Sequence, residues 1–319
     1  MVEPVRFHLL RKDSIGANIR MLLELSTTDS HDTQLTVACR ICSHVGLNPL
    51  LQEEELADSE SQRPLDLAWC PTCSLVQITE TVPDVLFRSY ACFSSLSDTT
   101  VNHAKSISAR LQQTQQLGPD SLVIEISSND PARNSARVVE SERGGRAISE
   151  YFGLDLALKL ARKGQQADLI LAKNVLTQVA DLNSVAAGFA VLLKPEGIAC
   201  IEVPYLKDLM NPSNVDAFDH EHLCYFSLTA LSQLFGQHGL EIVDAERLPS
   251  HGGSLRIVVA NSGVMSVQPA VRDLLADEAM WVRNRDSYQS FGQRMEHLRR
   301  EFVEPLPSQK SDGKRKNAA

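Results

Sequence analysis

The 319-residue chain is notable first for what it has little of. No apolar run approaches the ~18 residues a membrane-spanning helix needs. Its amino-terminal stretch carries Glu3, Arg6, Arg11, Lys12 and Asp13 with no continuous apolar core, which is not the pattern of a secretory signal. Basic charge is in deficit: 31 Lys and Arg against 40 Asp and Glu give a net charge of −9, the wrong sign for a nucleic-acid or anionic-membrane partner. Aromatic residues make up only 5%. What remains, 43% hydrophobic and 22% charged, is ordinary globular composition, long enough for two or three domains.

Cysteine is sparse but patterned. Cys39-Arg-Ile-Cys42 and Cys70-Pro-Thr-Cys73 form two Cys-x-x-Cys pairs, while Cys92, Cys200 and Cys224 are scattered among apolar neighbours. Two residues between thiolates let both sulfurs of a tight turn face one ion, and four thiolates complete zinc's preferred tetrahedron. The 27 residues between the pairs exceed the usual ribbon spacing, an excess that a hairpin through Leu47–Leu67 would absorb. All four ligand positions come from the protein, so the expected site is structural. This usage points to a reducing, cytoplasmic setting rather than a disulfide framework.

Leu122, Val123, Ile124 and Ile126 make a short β-branched run ending in Ser127-Ser-Asn-Asp130. A parallel strand covered on both faces reads this way, its polar end turning over the carboxyl edge of a sheet, where ligands bind in open α/β folds. A buried strand with an unliganded polar loop reads the same. From here strand and helix alternate. A polar helical stretch spans Ala132–Arg143, and strands are expected at Ala147–Phe152, Asp168–Val175 and Ile198–Val203. Helices are expected at Leu154–Lys163, stopped by Gly164; from Asp181, as cap, to Leu193; and at Thr229–His238, capped by Ser227 and stopped by Gly239. Leu240–Leu248 and Leu255–Asn261 close as paired strands. Before the series, Ser97 or Asp98 caps a helix over about Thr99–Gln116. After it, Pro269–Phe302 forms amphipathic helices and Ser308–Ala319 a basic, disordered tail.

These spans divide the chain into an extension (1–35), a zinc-binding domain (36–80), a helical connector (81–118), an α/β domain (119–263), carboxyl-terminal helices (264–304) and a tail (305–319). A series of motifs runs through them. Paired knuckles, Tyr90–Asp98, Glu125-Ile-Ser-Ser-Asn-Asp130, Asp168–Val175, Glu202-Val-Pro-Tyr205, His220-Glu-His-Leu-Cys-Tyr225 and His251-Gly-Gly-Ser-Leu-Arg256 occur in order. Together they resemble the S-adenosylmethionine-dependent sugar C-methyltransferases, which act on nucleotide-linked 4-ketohexoses in deoxysugar biosynthesis. The resemblance implies a class I methyltransferase (Rossmann-like) α/β fold with a mostly parallel sheet and an antiparallel end, plus a small amino-terminal zinc-binding domain. Its implied ligands are S-adenosylmethionine and a nucleotide-sugar, with Zn2+ at Cys39, Cys42, Cys70 and Cys73. Glu221 and His222 match its catalytic positions, His222 as the base removing a proton next to a ketone. Glu125, Ser127, Ser128, Asn129, Asn174 and Val175 match cofactor positions. Tyr90, Ser94, Ser95, His251, Gly252 and Gly253 match substrate positions. His251-Gly-Gly also reads as an ordinary hairpin turn, and His220 with His222 could share a strand face as a metal pair.

The chain departs from that pattern. Pro131 stands where the family has glycine, Gln178 where it commonly has His, and Asp219 where it has Tyr. Only 22 residues separate Asp130 from Gly153, too few for two parallel crossovers with their strands. The sheet is therefore expected one strand short, lacking the acidic residue that holds the adenosine ribose; Glu140, Glu142 and Glu150 are the substitutes in reach. The family's carboxyl-terminal nucleotide-binding domain is expected to be missing. These departures keep open a catalytically inactive methyltransferase-like binding or scaffolding protein beside the active enzyme.

Overall fold

Two sheets of very different size organise the chain. A computed structural model describes residues 37–51, 65–79, 121–130, 133–140, 146–211, 218 and 222–303. The small sheet has strand order β1-β2-β3-β9, from β1 (Asn48–Leu51), β2 (Leu67–Trp69), β3 (Val76–Ile78) and β9 (Cys224–Tyr225). β1 and β2 pair antiparallel, so the segment between the two Cys pairs does leave and return as a hairpin. The large sheet has order β10-β11-β8-β7-β4-β5-β6. Its strands are β4 (Leu122–Asp130), β5 (Arg133–Glu140), β6 (Arg146–Tyr151), β7 (Ala167–Lys173), β8 (Leu193–Pro204), β10 (Leu240–Leu248) and β11 (Ser254–Asn261).

The expected helix over Ala132–Arg143 is instead strand β5, antiparallel to β4 with Leu122 facing Glu140 and Ser127 facing Ser135. β6 then pairs antiparallel with β5. A parallel return needs a crossover of a dozen residues, whereas an antiparallel return needs a turn of about two. The short linker counted in the sequence is thus resolved by a meander. Among the described residues the large sheet is not one strand short: it has seven strands. Nor is it mostly parallel, since among these strands only β4 with β7 and β7 with β8 pair that way. The Ser127–Asp130 end, expected as a loop, lies within β4.

The middle of the chain folds as its local signals require. Helix α1 (Leu154–Ala161) buries Leu156, Ala157 and Leu160. Helix α2 (Leu182–Leu192) starts at Asp181, whose side chain accepts from Ser184 N at 2.9 Å. The four-residue α3 (Leu206–Leu209) follows β8. Helix α4 (Leu228–Gly236) starts at Ser227, whose hydroxyl accepts from Ala230 N at 3.1 Å. Such caps satisfy amide groups the first turn leaves open. Phe152, Phe189 and Phe235 stack between α1, α2 and α4 with centroids 5.3 and 6.2 Å apart. On this face the core runs through Ile124, Ile170, Ala199 and Ile257. The opposite face carries a smaller cluster around Val123, Leu169, Ile198 and Cys200.

Two further helices follow, α5 (Pro269–Ala279) and α6 (Arg285–Val303). α6 lies on the small sheet so closely that a Cβ at Gly292 would come 2.1 Å from the carbonyl oxygen of Leu50. Buried Glu278 accepts from Leu228 N, Thr229 N and the Thr229 hydroxyl, closing the amino end of α4. Among the described residues no helix is long and apolar enough to cross a membrane.

Candidate active site and thiolate centre

The two Cys-x-x-Cys turns are built alike. Ser43 N donates to Cys39 O and Ser74 N to Cys70 O, each at 2.9 Å. Ser43 and Ser74 both take left-handed backbone, φ 57° and 66°. The four sulfurs lie within 4.8 Å of one another, with Cys39 to Cys73 at 3.4 Å and Cys42 to Cys70 at 3.5 Å. Zn–S bonds of about 2.3 Å in a tetrahedron place sulfurs roughly 3.8 Å apart, so the set fits one metal ion. Without a cation the thiols divide a charge unequally. The hydrogen bond from Cys73 pulls Cys39 down to about 5, that same bond pushes Cys73 up, and burial pushes Cys42 up to about 11. A dication would deprotonate all four. Burial above all pushes Cys200 and Cys224, outside this centre, up to about 12, with the Glu202, Glu246 and Asp244 carboxylates adding to the effect at Cys200; they are inert core thiols.

The second locus lies at the carboxyl edge of the parallel strands. β7 ends at Lys173, and Asn174 turns left-handed at φ 54°, a conformation Asn tolerates better than most residues. Its N–H donates to Glu202 O at 2.8 Å, while Thr177 Oγ1 donates to Asn174 O at 2.9 Å. Val175 is buried beneath this turn. Leu223 N donates to Thr177 O at 2.6 Å, which brings half-buried His222 to the same junction as Gln178. The His222 ring stands edge-on to Tyr225, 6.0 Å between centroids.

The His251-Gly-Gly turn closes the β10–β11 hairpin and also reaches this edge. Gly253 O accepts from Tyr205 N at 3.1 Å, just past the end of β8. Gly253 has φ 122°, and a Cβ there would fall 2.2 Å from Asp208 Cβ, so both backbone and packing require glycine. Gly252 is exposed beside it. Thus Asn174, Val175, His222 and the Gly252–Gly253 turn gather at one edge. Ser127, paired with Lys173, and Ser128 and Asn129 extend along it as strand. Glu125 does not reach it: it sits mid-strand on β4, exposed on the sheet face opposite α1 and α2. Tyr90, Ser94, Ser95, Cys92, His220 and Glu221, like the 99–116 helix, Pro131 and the 305–319 tail, lie outside the described residues.

Topology also sorts the substitutes for the ribose carboxylate. Because β5 is antiparallel, Glu140 faces Leu122, at the amino end of β4 and the wrong edge. β6 turns back again, and its carboxyl-terminal Glu150 is on the ligand side, paired with Lys159 at 2.6 Å. Glu142 is outside the described residues. A charged row passed over by the sequence reading crosses the sheet nearby. Glu202, 4% exposed, lies 3.7 Å from Lys173 and 3.1 Å from Arg256, which also bonds Glu246 at 3.0 Å. A lysine closing an otherwise apolar strand, Asp168-Leu-Ile-Leu-Ala-Lys173, was the available signal.

Comparison with known proteins fits this arrangement. A family described as a methyltransferase domain matches residues 105–245, and one described as a C-methyltransferase C-terminal domain matches residues 249–318. The C-methyltransferase NovU of Streptomyces niveus is 31% identical over 309 aligned residues, covering 86% of this chain and 73% of NovU. The chain belongs to the C-methyltransferase family. It is an S-adenosylmethionine-dependent methyltransferase with a class I fold and a mixed sheet. The 249–318 match corrects the expectation that the carboxyl-terminal domain is missing: a stretch of it is here, beginning at the His251-Gly-Gly turn. Among solved structures, an S-adenosylmethionine-dependent methyltransferase from Anabaena variabilis matches 57% of this chain and 96% of its own, at 12% identity and TM-score 0.38. TnmH matches at 26% identity over 31% of each chain, TM-score 0.26.

Proposed function

We propose that this C-methyltransferase methylates a carbon next to the ketone of a nucleotide-linked keto-sugar, with His222 as general base beside Glu221, and with Zn2+ held structurally by Cys39, Cys42, Cys70 and Cys73. The observation that carries the reading is the Leu223 N to Thr177 O bond, which joins the His222 segment to the Asn174–Val175 turn. Ser127, Ser128, Asn129, Asn174 and Val175 would hold S-adenosylmethionine, and Glu150 is the carboxylate on the correct edge for its ribose. When bound, that cofactor supplies an electrophilic methyl group on a sulfonium. His222 would take the proton from the carbon beside the ketone, leaving that carbon an electron pair for the methyl group the cofactor would supply. The bond from Tyr205 N to Gly253 O ties the His251-Gly-Gly turn to the end of β8.

A second reading, a methyltransferase-like binding or scaffolding protein, is favoured by β5. It runs antiparallel where a parallel strand would bring an acidic residue to the ribose. Calorimetry with S-adenosylmethionine separates the two, with saturable heat expected for the enzyme and none at millimolar cofactor for the scaffold. Incubating the protein with nucleotide-linked 4-keto-sugars in D2O tests the base. Deuterium should enter next to the ketone, and His222→Gln should slow this ~100- to 10,000-fold. Equal exchange in both proteins would remove His222 from the mechanism.

A further inference from the structure

We propose that Gln77 is a positioning residue through which the four-thiolate centre sets the place of His222 and of the Asn174–Val175 turn. The inference rests on the reading of His222 given above. Gln77 is fully buried in β3, between Val76 and Ile78. A primary amide in such a place costs free energy unless its groups are bonded. Both are, and both to the first knuckle. Its Oε1 accepts from Arg40 N at 2.9 Å, and its Nε2 donates to Ala38 O at 3.2 Å. The side chain therefore grips the backbone on either side of Cys39.

The main chain of the same residue faces the other way in function. Gln77 is in register with Cys224, two residues after His222. Ile78 N donates to Leu223 O at 3.0 Å, Leu223 N to Thr177 O at 2.6 Å, and Thr177 Oγ1 to Asn174 O at 2.9 Å. An unbroken series of bonds thus runs from the metal knuckle through one glutamine to the base and the cofactor turn. β9 has only two residues, so β3 is the scaffold on which the His222 segment is laid. The knuckle has a second tie that bypasses this series. Asn183 Nδ2 donates to Arg40 O and Ile41 O, each at 3.0 Å, anchoring the knuckle to α2. The two ties separate holding the knuckle from placing His222.

The test uses the full chain with its metal content measured, and histidines labelled with 13C. The His222 ring signal is identified by its loss in His222→Gln. In Gln77→Met, a near-isosteric change that deletes both bonds, metal stoichiometry should hold. The His222 signal should move or broaden, and amide exchange at Leu223 and Cys224 should quicken at least tenfold, with Ile170 and Ile201 unchanged. Asn183→Ala should leave the His222 signal in place. An unmoved His222 signal and unchanged exchange in Gln77→Met overturn the proposal, as does an equal shift in Asn183→Ala. If Gln77→Met loses the metal, chelator titration of the wild type decides. Leu223 and Cys224 exchange should rise in step with metal release, and exchange that ignores release overturns it. None of these readouts needs turnover, so inactivity toward keto-sugars would count against the proposed function and leave this test standing.

Discussion

The two sheets of this protein solve the same problem at different scales. The large sheet has strands of 6 to 12 residues and buries apolar side chains on both faces, with three helices stacked through Phe152, Phe189 and Phe235. The small sheet has strands of 2 to 4 residues, whose buried Leu51, Leu67, Trp69, Val76 and Ile78 join the same apolar cluster as the helical face of the large sheet. It depends besides on ties the large sheet lacks: four thiolates that fit one ion, Gln77 bonded to the first knuckle, and α6 laid against Leu50. The difference teaches where each sheet is vulnerable. One fails by losing volume, the other by losing a ligand or a close approach.

Cys70→Ser should separate the two most sharply. A filled structural zinc site contributes on the order of 10 kcal/mol in isolated modules, and losing one of four ligands removes several of these. Metal analysis should find sub-stoichiometric zinc, and hydrogen exchange should find β1–β3 unprotected while β7 and β8 stay protected. Simultaneous loss of protection in both sheets would show that they are one cooperative unit. Phe189→Ala is the reverse experiment. It should cost about 3–5 kcal/mol in denaturant unfolding and leave metal content intact. Gly292→Ala drives a methyl into the Leu50 carbonyl and should cost about 1–3 kcal/mol, read as metal release at lower chelator concentration.

The smallest effect concerns the junction of the two. His238 Nε2 donates to Asn183 Oδ1 at 2.9 Å, since Asn183 spends its own amide hydrogens on Arg40 O and Ile41 O. Burial holds this imidazole below its ordinary value of 6.5. The unfolded chain therefore takes up the proton first as pH falls, and stability contributed here is present above 6.5 and lost below it. His238→Gln should flatten the acid limb of a thermal-melt profile and leave the melting temperature at pH 8 nearly unchanged. An equally steep acid limb would place the titration elsewhere.

Local signals were legible because their causes are local. Asp181 and Ser227 each satisfy an amide three residues on, and the Cys-x-x-Cys turns repeat one geometry twice, so a short window contains the whole reason. The site was legible in part. Asn174 at the end of an apolar strand and His251-Gly-Gly could be marked, and the structure brings both to one edge. Lys173, Glu202 and Arg256 could not be joined, because their row exists only after three strands register. Gln77 was invisible for the same reason: a lone polar residue in a three-residue strand has no pattern.

The β4–β5 hairpin shows the limit from the other side. Counting residues from Asp130 to Gly153 correctly excluded two parallel crossovers, yet the inferred gap was a strand of opposite direction. Residue type and spacing alone determined the two Cys-x-x-Cys turns and the helix starts at Asp181 and Ser227, since each rests on contacts within a turn or two of the chain, while the methyltransferase fold was legible only through the resemblance carried by a whole ordered set of motifs. Strand direction, the seventh strand, the loan of Cys224–Tyr225 to the small sheet and the meeting of Thr177 with Leu223 were decided only in three dimensions. Those depend on which distant backbone amides and carbonyls find one another, a choice made by the free energy of the whole packed sheet rather than by any one segment.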